Sequence, residues 1–405
     1  VTAKGSQCER FNDRGGMSPH PFTSRRITVV HLITELTVGG APRMLEKLLE
    51  RMDQEKFRSL VVSMADLGLV ADSIQSRKIP VFSLGMRLGR PSLGGFLRFY
   101  RILREECPEI VQTWLYHADL LGLIAGKLAR ARRIVWGIRC SDMDLGDYRF
   151  LTALTVRANA RLSFMPDAIV VNSEKGREVH QKLGYSGKNM VLIENGFDLT
   201  RFHPDEGARD WLLQQLALPK NAILIGLVAR WDPMKDQHNF LRAATLAVES
   251  MASAHFLMVG PGMDPANRKV TELIDQGGLE GRVHLLGLRN DPSRIMAALD
   301  MACSSSAYGE GFPNTIGEAM ACAVPCVVTD VGDSARLVGD TGRVVPPRNP
   351  EALAIAWREL MDLGEEGRHR LGAAARSRVR DHFDLSRIVA RYEALYRSLI
   401  FPASP

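Results

Sequence analysis

The chain has 405 residues, 45% of them hydrophobic and 24% charged, a composition that excludes disordered and fibrous classes. Its length suits two domains of roughly 150–200 residues each, and no apolar run reaches the roughly 18–20 residues of a membrane-spanning helix. The net charge of +6 is uneven: residues 1–200 carry 29 Lys+Arg against 21 Asp+Glu, and the rest carry 23 against 25.

Residues 1–25 are polar, rich in Gly, Pro and Ser, and without period, so they read as a flexible extension, with Met17 a plausible start. A first buried strand follows at 27–33, then the Gly39-Gly40 turn and a helix over 42–49. Further strands are predicted at 60–63, 80–84, 110–113, 133–138 and 168–172, with helices at 93–106 and 120–131 among them. This alternation predicts a parallel sheet covered on both faces. The rhythm restarts at 222–228 and continues with strands at 255–259, 282–286, 301–304, 326–329 and 342–345. Helices fit at 236–250, 268–276, 314–323 and 350–363, and an amphipathic helix closes the chain at 386–399. The link between the two series is 193–204, marked by Asn195-Gly196 and Pro204. The expected division is a 26–195 domain, a 196–385 domain, and a tail at 386–405 returning to the first.

Two doubly wound α/β domains form a cleft lined by the carboxyl ends of their strands, so chemistry is sought just after strand ends. The string Gly309-Glu310-Gly311-Phe312-Pro313-Asn314-Thr315-Ile316-Gly317-Glu318 stands at such a place. Pro313 suits the first turn of a helix, and the N–H groups around it suit a diphosphate. Gly311 would let the backbone approach a ligand, and Glu310 and Glu318 are acceptors for hydroxyls of one elongated ligand. After the 222–228 strand, Arg230 and Lys235 place two cations where a leaving diphosphate needs charge balance.

Taken with Gly39-Gly40 and Asn195-Gly196-Phe197-Asp198 before Arg201-Phe202, these motifs resemble glycosyltransferase family 4 from about residue 27 to 399. The resemblance implies the GT-B fold: two Rossmann-like domains, with the last helix crossing back. It implies retaining transfer from a nucleotide diphosphate-sugar without a metal or other cofactor. By the same resemblance Glu310 holds sugar hydroxyls, Glu318 the ribose, and Arg230 and Lys235 the diphosphate. The backbone of Phe312, Pro313, Asn314 and Thr315 adds donors, and Gly40 approaches from the other domain. Leu288 and Arg289 match the base-holding segment, and His117 the histidine beside the sugar. The turn departs from the family pattern at Pro42, where an acid is usual. Analogy favours a UDP-sugar, a glycan or lipid-linked acceptor, and a cytoplasmic site of surface polysaccharide assembly.

Several features stay open. His117 is either a sugar contact or a packed histidine. Arg139 fits an acceptor phosphate, or equally an ion pair with Asp142 or Asp144. Asp142-Met143-Asp144 reads as loop acids, too few for a metal site. The basic helix 93–106, with Arg98, Arg101 and Arg104, and the arginines 149, 157 and 161 suit either an anionic membrane surface or a solvated face. The six cysteines have no metal spacing and read as buried thiols. The alternative enzyme is a sugar-nucleotide epimerase, which would need acid/base groups that the pattern does not supply. No motif supports nucleic-acid binding, despite a pI near 9.0.

Overall fold

A computed structural model of the chain describes residues 26–37, 39–87, 90, 92–141 and 150–402. The 1–25 extension, Asp142, Asp144 and Arg149 lie outside the described residues.

The first domain is a parallel sheet of β1 (Ile27–Ile33), β2 (Phe57–Ser63), β3 (Val81–Ser83), β4 (Ile110–Trp114), β5 (Arg133–Ile138), β6 (Ala168–Val171) and β7 (Met190–Leu192). Their spatial order is β3-β2-β1-β4-β5-β6-β7. β1 is central, with Val29 to Ile33 in register with Ile110 to Trp114 on one side and with Ser59 to Ser63 on the other. The strands are apolar nearly throughout because helices cover both faces of the sheet. The second domain contains β8 (Ile223–Val228), β9 (Ala254–Val259), β10 (Val283–Gly287), β11 (Met301–Ser304), β12 (Cys326–Thr329) and β13 (Gly342–Val345), in the order β10-β9-β8-β11-β12-β13. Strand order therefore reverses between β1 and β4 in one sheet and between β8 and β11 in the other. Crevices for ligands open at such reversals.

Two segments cross between the domains, and they pair with each other. The N–H of Phe197 donates to Phe383 O (2.9 Å), and that of Leu385 donates to Phe197 O (3.0 Å). The helix Leu385–Ile400 then returns to the first domain, where Ile388, Val389, Tyr392, Tyr396 and Ile400 join the core beneath β1 and β4. Their helical spacing gives one buried stripe. Gly317 lets the crossing close: a Cβ there would overlap the Phe197 ring, which stacks on Phe312 at 6.2 Å.

Some elements differ from expectation. β7 has three residues, too few to show a period. The helix Gly364–His382 is largely charged, so its apolar stripe does not stand out. The helix Tyr116–Ala129 starts four residues before the predicted 120, directly off the strand, after Leu115 in a positive-φ conformation (φ 76°). Pro313 caps the helix Asn314–Ala321 from outside rather than entering its first turn. Cys303, Cys322 and Cys326 are buried as expected, whereas Cys107 is exposed at the end of its helix.

Candidate active site

Four segments leave the two reversal points and meet in one cleft. β1 leads to Gly39 and the helix Gly40–Arg51, β4 leads to Tyr116-His117, β8 leads to Arg230–Lys235, and β11 leads to Ser304–Glu310. The starts of the helices Gly40–Arg51 and Asn314–Ala321 come together across the cleft, where Asn314 Nδ2 donates to Gly40 O at 3.3 Å. Each helix start carries unpaired N–H groups and the positive end of a dipole, so the pair forms a place for an anion.

Glu310 is buried, at 7% exposure. Its Oε1 accepts from Lys235 Nζ and, at 2.7 Å, from Ser306 Oγ. Burial pushes its pKa up, but the Lys235 charge and these hydrogen bonds outweigh burial and hold it below the usual value. Glu310 is thus an anion at neutral pH, and Lys235 is its counter-charge. The short 3-10 turn Pro233–Lys235 aims the lysine, with Asp232 accepting from the N–H of Met234 at 2.9 Å. Arg230 stands nearby; its charge also lowers the Glu310 pKa, while its Nε donates to Asp232 Oδ2 at 2.8 Å.

Glu318 lies one turn into its helix and pairs with Lys47 of the first domain at 2.6 Å. Lys47 is 6% exposed and also faces the Phe197 ring at 5.7 Å. Sequence reasoning missed this residue, because it sits in a run, Met44 to Leu49, that reads as core. The Glu310 segment is held from the first domain as well: Ser141 Oγ donates to Glu310 O, and Asn195 Nδ2 to Phe312 O at 2.9 Å. Gly311 presses on that domain, and a Cβ would come within 2.7 Å of Asn172 Oδ1 and 3.1 Å of Arg139 O. The close approach expected of Gly311 is therefore toward protein in this structure.

The remaining candidates are more dispersed. His117 is in the first turn of its helix; burial lowers its pKa, and its buried Nε2 has no hydrogen-bond partner. Arg139 stacks on Trp114 at 4.4 Å, donates to Asn195 Oδ1 at 3.0 Å and bonds the Tyr392 hydroxyl. It thus ties β5 to the crossing segment and to the last helix. Leu288 is 55% exposed after β10, and Arg289 forms a two-pronged pair with Asp291 at 2.9 and 2.7 Å. Phe312 is in the core, and Pro313 and Thr315 flank the helix start. Among the described residues, no group of three or more His, Cys, Asp or Glu could hold a metal ion.

Comparison with known proteins identifies the family. Residues 38–201 match the family described as Glycosyltransferase Family 4, and residues 222–362 match Glycosyl transferases group 1. The chain belongs to glycosyltransferase family 4. It is a glycosyltransferase, and one matched segment lies in each sheet domain. A relative of this family 4 glycosyltransferase is the Escherichia coli UDP-Gal:alpha-D-GlcNAc-diphosphoundecaprenol alpha-1,3-galactosyltransferase, 25% identical over 78% of this chain and 82% of that protein. Another is the Campylobacter jejuni N,N'-diacetylbacillosaminyl-diphospho-undecaprenol alpha-1,3-N-acetylgalactosaminyltransferase, 24% identical over 76% of this chain and 82% of that one. Among solved structures, Anabaena HepE in complex with UDP-glucose superposes with a TM-score of 0.79 at 23% identity, covering 92% of this chain and all of that one. The family 4 glycosyltransferase therefore has the GT-B fold.

Proposed function

We propose that this enzyme transfers a sugar from a UDP-sugar, with retention and without a metal, to a hydroxyl of a lipid-linked or free glycan in surface polysaccharide assembly. The observation that carries the reading is the meeting of Glu310, Lys235 and two helix starts at both reversal points. The names of the E. coli relative and of the HepE complex support UDP as the nucleotide, and the diphosphoundecaprenol acceptors named for both bacterial relatives support a lipid-linked acceptor.

In this reading the diphosphate lies between the helix starts, balanced by Arg230 and Lys235, and Glu318 exchanges Lys47 for the ribose hydroxyls. Leu288 and Arg289 border the base. Glu310 accepts hydrogen bonds from sugar hydroxyls, and neutral His117 offers its unpartnered Nε2 to the same sugar. A carboxylate nucleophile would have to be free to reach the anomeric carbon, but Glu310 is anchored by Lys235 and Ser306. The acceptor oxygen therefore bonds the anomeric carbon on the face from which the phosphate leaves. The acceptor proton passes to the departing phosphate oxygen, and the electron pair of the broken bond stays on the UDP. The protein contributes position and charge balance, the main sources of rate in a transfer of this kind.

The acceptor enters from the first domain, whose helices Leu93–Glu106, Tyr116–Ala129 and Phe150–Leu162 pack side by side. They expose Leu93, Leu97, Leu128, Phe150 and Leu154 among arginines. Such a face suits peripheral contact with an anionic membrane; no helix among the described residues is long and apolar enough to cross one.

The test is UDP release from UDP-galactose, UDP-glucose and UDP-N-acetylglucosamine, with and without a diphosphoundecaprenol-linked sugar, in the presence of EDTA. One donor should turn over only with acceptor. Turnover without acceptor, loss of activity in EDTA, or inversion at the anomeric carbon would each overturn the corresponding part.

A further inference from the structure

A cavity of about 540 Å³ opens beside the crossing segments, and none of its lining residues belongs to the donor cleft. Its polar wall is Glu194, Arg336, Arg378, His382, Arg387 and Arg391, with Phe383 at its base. Four guanidinium groups thus face one carboxylate. Glu194 is shared, accepting from Arg336 at 2.6 Å and from Arg391 at its other oxygen. Arg336 also bonds Asp333, whose carboxylate already accepts from the N–H groups of Glu174 and Lys175 at 2.8 and 2.9 Å.

The other two cations are held by neutral acceptors. Arg378 donates from Nε to Leu337 O at 2.8 Å and from Nη2 to Arg336 O at 2.7 Å. Gly339 lies flat against that guanidinium, where a Cβ would come within 2.8 Å. Arg387 donates from Nη1 to Asp381 O at 2.8 Å, and the nearby Asp381 carboxylate is already paired with Arg380. Carbonyl bonds fix the direction of a guanidinium without cancelling its charge. The wall is therefore oriented and under-neutralised, in a volume within the range of small-molecule sites, roughly 300–1,000 Å³. A planar fork of N–H donors matches the oxygens of a phosphate.

We propose that this cavity is a second anion site, which takes a phosphate or diphosphate group. Its walls come from three places: Glu194 before the first crossing, Arg336 and Arg378 of the second domain, and Arg387 and Arg391 of the returning helix. An anion bound there bridges three separate pieces of the fold.

Inorganic pyrophosphate is the probe, titrated calorimetrically into the full chain. A Lys235→Ala chain weakens the donor cleft and leaves the cavity intact; it should still bind pyrophosphate. Adding Arg378→Gln and Arg387→Gln to that chain should weaken this binding at least tenfold. Gln keeps a donor for the carbonyls, and an unchanged thermal melting curve confirms that the variant folds. Unchanged affinity in the triple variant, or no binding to the Lys235→Ala chain, would overturn the proposal. Dihexanoyl-phosphatidylglycerol, kept below its micelle concentration, then separates the sources. Displacement of pyrophosphate identifies a lipid headgroup, and persistence of pyrophosphate binding identifies a soluble phosphate.

Discussion

The two halves of the cleft are built from the same supersecondary unit, yet they are electrostatically unlike. On the second-domain side, Glu310 is matched by Lys235 and Ser306, and Glu318 by Lys47. On the first-domain side, His117 Nε2, Arg139 Nε and Asn172 Oδ1 are buried without a hydrogen-bond partner, and at the facing helix start Asn314 Oδ1 is as well. Under the proposed function, this difference divides the labour between the halves. A site for a fixed, highly charged donor can have its charges arranged in advance, which is where electrostatic catalysis gains most. In the proposed reading, the unpartnered atoms of the other side find partners in substrate, His117 Nε2 in the transferred sugar.

The contrast is most exposed to refutation at the charged pair. Glu310→Ala and Lys235→Ala should each lower turnover by at least about 100-fold, since each removes a preorganised charge; steady-state rates near wild type would refute the donor assignment. His117→Ala should be milder, on the order of tenfold in kcat for a lost hydrogen bond to the sugar. Equal losses in the two halves would erase the contrast. Gly317→Ala should cost about 1–3 kcal/mol of stability, because the new methyl overlaps Phe197 in a packed crossing; a urea midpoint reads this directly.

A pH-dependent change is expected at a buried acid of the first domain. Asp119 accepts from Thr113 Oγ1 at 2.5 Å, and burial raises its pKa to about 8 from 3.8. The folded chain holds a proton that the unfolded chain releases above that ordinary value. This contribution is complete below the unfolded pKa and is lost as pH rises through the folded one. Asp119→Asn keeps a neutral group in place, so between pH 5 and pH 8 the variant should gain on wild type by about 1.4 kcal/mol per pH unit. Parallel stability curves would show that the carboxyl is ionised in the fold.

What can be read from the chain alone follows from the range of each interaction. The two sheets and the returning helix are legible, because apolar strands and a helical stripe are local patterns. Glu310, Lys235 and Glu318 are legible as candidates, because they lie within short motifs at strand ends. Lys47 is not: its partner is 271 residues away, and its own neighbours read as core. Arg139 is only half legible. A strand-end arginine suggests an anion, but its stack on Trp114 and its bonds to Asn195 and Tyr392 join three distant segments. Ser306 supports Glu310 from four residues away, a spacing visible in the sequence but uninformative until the loop's turn is known.

If labour is divided in this way, the second domain carries the nucleotide and the first does not. Calorimetric titration of UDP into wild type, Glu318→Gln and His117→Ala decides the matter. Glu318→Gln should show at least a tenfold weaker Kd, and His117→Ala an unchanged one, since UDP lacks the transferred sugar that the histidine holds. Equal affinity in wild type and Glu318→Gln, or a loss confined to His117→Ala, would place the nucleotide elsewhere and end the division.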